Sequence, residues 1–178
     1  MSEFLPAASM VSDFPDLESR TVPEDHRDLR LWLRLLTCCN LIESELRTRL
    51  RTQFDTTLPR FDLMAQLLRA PEGMKMSEVS RHMMVTNGNI TGITGQLEKE
   101  GLVERIPNAS DGRSSLIRLT SKGKRNFRKM AQAHESWIQS MFGGLSEPSR
   151  QALFDALGEL KRAQRQALAD GSPLSGQA

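Results

Sequence analysis

The stretch Asn87-Gly88-Asn89-Ile90-Thr91-Gly92-Ile93-Thr94-Gly95-Gln96-Leu97-Glu98-Lys99-Glu100-Gly101-Leu102-Val103-Glu104-Arg105-Ile106 decides the fold. It reads as a helix up to Glu100, a left-handed closing glycine at Gly101 and a strand from Leu102. At about 100° per residue, Ile90, Ile93 and Leu97 fall together and are expected to face the core. The opposite face carries Gly88, Thr91, Gly92, Gly95 and Lys99, with Asn87 and Asn89 about the first turn and Gln96 beside it. Each glycine in a helix interior costs roughly 0.5–1 kcal/mol relative to alanine. On an exposed face, core packing offsets none of that. Close approach of another surface to the backbone accounts for the pattern. A DNA major groove fits, because it admits a helix and rewards base contacts by Asn, Gln and Thr.

The flanking segments complete a winged helix-turn-helix. Ser77 to about Met84 reads as the preceding short helix, with Val85-Thr86-Asn87-Gly88 as the connecting turn. Leu102–Ile106 and Ser114–Leu119 are two strands rich in β-branched residues, separated by the turn formers Pro107-Asn108-Ala109-Ser110-Asp111-Gly112. This hairpin is the wing. Arg113 stands just past its tip, where an extended guanidinium can enter a minor groove, and Asp111 can orient it. The expected DNA-contacting set is Ser77, Asn87, Gly88, Asn89, Thr91, Gln96, Asp111, Arg113 and Ser114.

Helices are expected on both sides. From Asp28 to Thr52, Trp32, Leu35, Cys39, Ile42, Leu46 and Leu50 recur at spacings of three and four, and Leu29, Leu33 and Leu36 widen that stripe. So much apolar surface on one helix calls for a partner subunit. A second helix starts with Thr57 as cap and Pro59 in its first turn, and turns Phe61, Met64, Leu67 and Leu68 inward. Thr120 caps a helix to Phe142 on the seam Phe127, Met130, His134, Trp137 and Met141. Gly143-Gly144 breaks it, and Ser146 caps a last helix with Leu153, Leu157, Leu160 and Leu168 inward. The fold class is therefore mainly α with a small β-hairpin wing: a winged helix-turn-helix core plus N- and C-terminal dimerisation helices. Its expected divisions are a flexible arm (1–26), a helical dimerisation region (27–56 and 120–170), a DNA-binding lobe (57–119) and a disordered tail (171–178).

Charge agrees. Between Lys75 and Met130 eleven basic residues face five acidic ones, a net +6 inside a chain whose formal total is +2, so the remainder carries −4. A basic block in a mildly acidic protein is the footprint of a nucleic-acid surface. With 38% hydrophobic and 26% charged residues, the chain of 178 should fold as one soluble domain. It has no apolar run near the roughly 20 residues of a membrane span and no signal-like N-terminus, which points to the cytoplasm. Adjacent Cys38 and Cys39 make a disulfide between them unfavourable.

The stretch from Pro59 to Gly123 resembles the MarR family of bacterial transcriptional regulators. The resemblance is most specific in Leu97-Glu98-Lys99-Glu100-Gly101-Leu102-Val103-Glu104-Arg105, Asp111-Gly112-Arg113-Ser114 and Leu119-Thr120-Ser121-Lys122-Gly123. It implies a homodimer with interleaved terminal helices, binding a roughly palindromic operator in double-stranded DNA, usually as a repressor relieved by ligand. It also implies a small-effector pocket between the dimer helices and the DNA-binding lobe, to which Trp32, Cys39, Asn40, Phe61, Met64 and His134 can contribute if the first, second and fifth helices meet as in the family. Helical spacing alone also explains most of these as core. The Thr86–Thr94 stretch resembles members governing aromatic-acid catabolism, which suggests a phenolic acid or an aryl-CoA thioester as effector. The chain departs from the pattern at Gly92 and Gly95, where many members carry Arg and an acidic residue, and at Lys75, where many have a capping Thr.

Other readings have less to stand on. A thiol-based redox sensor would use Cys38 or Cys39, but Cys39 is expected on the buried stripe, and the chain lacks the tyrosines that peroxide-sensing members use. Three scattered histidines, with no nucleophile motif and no phosphate-cradling loop, argue against an enzyme and against a cofactor. No His or Cys pair has metal-ligand spacing. A winged helix serving only as a protein-interaction module would not need the basic excess or the wing arginine.

Overall fold

The computed structural model describes residues 27–83, 86–108 and 115–170, and within them the periodic segments become six helices and three strands. In chain order these are α1 (Arg27–Phe54), α2 (Leu58–Leu68), β1 (Met74–Lys75), α3 (Met76–Met83), α4 (Asn87–Lys99), β2 (Val103–Pro107), β3 (Ser115–Leu119), α5 (Ser121–Phe142) and α6 (Glu147–Ala169). The arm, the tail and the wing-tip residues Asp111, Arg113 and Ser114 lie outside the described residues. The chain divides into two compact units, Met1–Met130 and Ala131–Ala178, with the division inside α5.

In the first unit, a core of Leu50, Leu63, Met64, Leu67, Val79, Ile90, Leu97, Ile117 and Leu119 is fully closed to solvent. Phe61 and Phe127 join it as a tilted ring pair with centroids 5.1 Å apart. Leu63 is buried where the sequence placed Leu68, which is only half-buried. The sheet is antiparallel in the order β1-β3-β2, one strand more than the expected hairpin. Met74 and Lys75 pair with Ile117 and Leu116, tying the wing to the residues that lead directly into α3.

Local chemistry explains where the helices begin. Lys75 offers no capping side chain, yet α3 starts at once because Glu78 reaches back and accepts from the Lys75 backbone N–H at 2.9 Å. The Thr120 hydroxyl accepts from Gly123 N–H at 3.0 Å, and the Ser146 hydroxyl from Ser149 N–H at 3.3 Å, so both expected caps form. Thr57 occupies the cap position of α2 without a side-chain bond. Pro59 has no N–H, so that first turn holds one orphan donor fewer.

The expected faces of α4 and α1 are corrected as well. In α4 the buried set is Ile90, Thr94 and Leu97, and Ile93 is only half-buried. Both sets satisfy helical spacing, and Thr94 wins because the start of α3 lies against it, with its hydroxyl 3.7 Å from the Met76 sulfur. Along α1, burial is confined to Leu46 and Leu50, near the end that leads into α2. Trp32 is 54% exposed, and Cys39, expected on the buried stripe, is exposed like Cys38. The helix runs 28 residues, far past the elements that cover its last turns.

The second unit contains the rest of α5, the Gly143-Gly144 break and α6. Trp137 is buried there. Ile138, Phe142, Leu153, Phe154 and Leu157 line an open groove of about 320 Å³, with Gln139 and Arg150 at its margin. No residue of α6 is buried, so the expectation that Leu153, Leu157, Leu160 and Leu168 point inward does not hold within one chain. Among the described residues that face is only partly covered, and Phe154 stays 73% exposed.

Candidate nucleic-acid interface

The outer face of α4 is built by omission. Gly88, Gly92 and Gly95 fall along one line of the helix, with Asn89 and Gln96 on one flank and Thr91 on the other. Asn89, Thr91 and Gln96 are exposed, and a Cβ at any of the three glycines would meet nothing within 4 Å. No packing among the described residues therefore requires glycine there. Asn87 opens the helix, and its side chain lies outside the described residues. Ser77 is exposed in the first turn of α3.

The other end of α4 is held firmly. A helix leaves its last carbonyls without internal partners, and here the Leu97 carbonyl is answered, as are those of the cap residue and the chain just beyond it. Lys122 Nζ donates to the Glu100 carbonyl at 2.8 Å and the Thr120 hydroxyl to the Gly101 carbonyl at 2.7 Å. Thr120 N–H donates to the Leu102 carbonyl at 3.1 Å, and Leu102 N–H to the Leu97 carbonyl at 2.9 Å. Gly101 takes a φ of +69°, the left-handed conformation that glycine adopts without strain. Gly123 lies so close beneath Leu102 that a Cβ would stand 1.9 Å from its carbonyl oxygen. Side chains add a second layer of restraint. Arg60 of α2 pairs with the Glu100 carboxylate, and Arg105 of β2 meets Glu98 at 3.1 Å. Across the wing, Arg118 meets Glu104 at 2.7 Å, directly opposite in register. The two exposed pairs, Arg105–Glu98 and Arg118–Glu104, are worth about 0–1 kcal/mol each, so they serve to fix orientation more than to stabilise.

For Leu119-Thr120-Ser121-Lys122-Gly123 the sequence offers the family resemblance and, beyond Thr120 as a cap, no structural reason. The structure supplies one: Leu119 is core, and Thr120, Lys122 and Gly123 all fasten onto the chain between Glu100 and Leu102. Glu78 and Arg60 are positioning residues the sequence reading does not identify. Only Glu78 left a local signal, three residues after the cap position. Arg81 and His82, basic and exposed in the last turn of α3, were likewise not singled out.

The expected effector residues do not share one environment. Phe61 and Met64 are buried in the first unit's core, whereas Trp32, Cys39 and Asn40 are exposed on α1. His134 belongs to the second unit, where burial lowers its pKa. A polar feature not foreseen is Asp62 of α2, whose pKa is raised first by burial and then by the nearby Glu43 carboxylate of α1. Among the described residues, no cluster of three or more His, Cys, Asp or Glu is placed to hold a metal ion, and no helix is long and apolar enough to cross a membrane.

Comparison with known proteins supports the same architecture. The sequence profile of the MarR family matches residues 56–115. The transcriptional activatory protein BadR of Rhodopseudomonas palustris is 30% identical over 105 residues, 58% of this chain and 59% of its own length. The HTH-type transcriptional repressor IacR of Pseudomonas putida is 31% identical over 105 residues, 59% of this chain and 62% of its own. The chain thus spans less than two thirds of these two relatives. FabT of Streptococcus pneumoniae, solved in complex with DNA, superposes with a TM-score of 0.66 at 24% identity, over 78% of this chain and 98% of its own, a likeness of fold. A MarR family transcriptional regulator from Silicibacter pomeroyi superposes with a TM-score of 0.66 at 30% identity, over 79% of this chain and 99% of its own. With sequence and fold matched over nearly the whole of that relative, this chain belongs to the MarR family.

Proposed function

We propose that this protein is a ligand-responsive DNA-binding transcriptional repressor that grips a roughly palindromic operator as a homodimer. In this reading α4 enters the major groove, α3 crosses the phosphate backbone with Ser77, and the wing carries Arg113, with Asp111 and Ser114, to the adjacent minor groove. The observation that carries it is the glycine line of α4, open on the outside of a helix whose other end is locked. FabT, of like fold, was solved with DNA. Relatives are named both activatory protein and repressor; of the two roles we propose repression.

The homodimer has its own support. Leu29, Leu31 and Trp32 on α1, and Leu153, Phe154, Leu157 and Leu160 on α6, are all exposed large hydrophobics. Large apolar side chains left exposed on these two helices mark an interaction site. The dimerisation region is accordingly assigned to 27–56 and 120–170, and the DNA-binding lobe to 57–119. The effector is assigned to the phenolic acids or aryl-CoA thioesters, with Trp32, Cys39, Asn40, Phe61, Met64 and His134 as the residues to mutate first.

Fluorescence anisotropy with duplexes from the DNA upstream of its own gene tests the reading. Affinity should fall steeply as salt rises, because phosphate contacts release counterions. A dimer should be seen by light scattering, with recognition helices about 34–36 Å apart, one DNA turn. Arg113→Ala should weaken binding at least about tenfold, the loss of one good groove contact, with the thermal melt unchanged; equal affinity would remove the wing from the mechanism. Aromatic acids and their CoA esters should then release the duplex. The exposure of both Cys38 and Cys39 favours thiol sensing as a second reading. An oxidant response that survives their joint replacement by serine would dispose of it.

A further inference from the structure

We propose that α4 reads adenine·thymine pairs and no guanine, with Asn89, Gln96 and Thr91 as the readers and the glycine line seating the helix close enough for them to reach. This rests on the DNA-binding reading and narrows it to a class of base pair.

In the major groove guanine presents two acceptors, N7 and O6, and is matched by the paired donors of Arg or Lys. Adenine presents an acceptor at N7 and a donor at N6, which a side-chain amide matches with both of its groups. Thymine adds a methyl that a threonine methyl can touch. From Asn87 to Leu97, α4 holds neither Arg nor Lys. What it exposes there is Asn89 and Gln96 on one flank and Thr91 on the other, around glycines with open space outside them. Amides and a threonine hydroxyl have short reach, so they contact base edges only if the helix axis lies deep. Gly88, Gly92 and Gly95 make that depth possible, since no side chain stands between their backbone and the groove floor. Lys99, the first cation along the helix, is its last residue, seven beyond Gly92 and thus about 10 Å further along the axis. A straight helix leaves a curved groove at its ends, which brings Lys99 to the phosphates, where a point charge suffices.

The test uses the full-length protein and a randomised pool of ~30-bp duplexes, long enough for two half-sites one turn apart. Selected duplexes are resynthesised with 7-deazaadenine for adenine, with uracil for thymine, or with 7-deazaguanine for guanine. Only major-groove atoms change, so minor-groove contacts by the wing do not interfere. The first two replacements should each lower affinity about tenfold, and the third should leave it within about twofold, since one good pair contributes roughly 5- to 150-fold discrimination. Asn89→Ala should lose affinity for the unmodified duplex and lose most of its sensitivity to 7-deazaadenine. A penalty from 7-deazaguanine as large as that from 7-deazaadenine would overturn the inference while leaving DNA binding intact. A pool from which no duplex is enriched would overturn the DNA-binding reading itself, and this inference with it.

Discussion

At Gly123 a Cβ would lie 1.9 Å from the Leu102 carbonyl oxygen, whereas at Gly88, Gly92 and Gly95 it would meet nothing within 4 Å. Both sets of glycines belong to the machinery around α4. The first is demanded from inside, because the start of α5 can dock under Leu102 only if no side chain intervenes. The second set has no cause among the described residues, although glycine weakens a helix. A residue that weakens the fold and that the fold does not need points to something outside the chain. The contrast separates the end of α4 and the chain just beyond it, from Glu98 to Leu102, which serve stability, from the part of α4 free to meet a partner.

The contrast can be broken most decisively at Gly123. Gly123→Ala should destabilise the protein by about 3 kcal/mol or more, at the upper end of overpacking effects, because the clash is with backbone that Thr120 also holds. A thermal or urea melt close to wild type would show the junction to be soft. The opposite sign is expected at Gly92. Gly92→Ala should raise stability by about 0.5–1 kcal/mol, while affinity for duplex DNA falls. A variant both more stable and equally tight on DNA would end the close-approach argument.

The smallest expected effect sharpens the baseline for these measurements. Burial and Glu43 raise the pKa of Asp62 in the folded protein. The folded state therefore holds that proton more tightly than the unfolded chain. Stability should fall as pH rises from the ordinary carboxylate range through the raised value, then level off. Asp62→Asn should be more stable than wild type at neutral pH, and the gap should close as pH drops below that window. A gap independent of pH would remove Asp62 from the account.

Much of this molecule was legible residue by residue. Helical periods located α1 to α6 within a few residues, Gly101 marked the end of α4, and Thr120 and Ser146 were read as caps and act as caps. These are signals between near neighbours along the chain, so they survive without a structure. β1 was not legible, because two residues carry no period. Nor was the choice of Thr94 over Ile93, since both spacings suit a helix and only the arrival of Met76 selects between them.

The same division runs through the candidate site. The sequence alone determined that α4 would carry glycines, amides and a threonine on one face, that a basic block surrounds it, and that a wing follows. Tertiary structure decided what those glycines are for. Whether a missing Cβ makes room for the chain itself or for another molecule depends on which distant atoms stand opposite. Leu102 stands opposite Gly123, and nothing in the described chain stands opposite Gly92. It likewise left Trp32 and Phe154 in the open, because covering an apolar face takes a second surface, and periodicity specifies only the first.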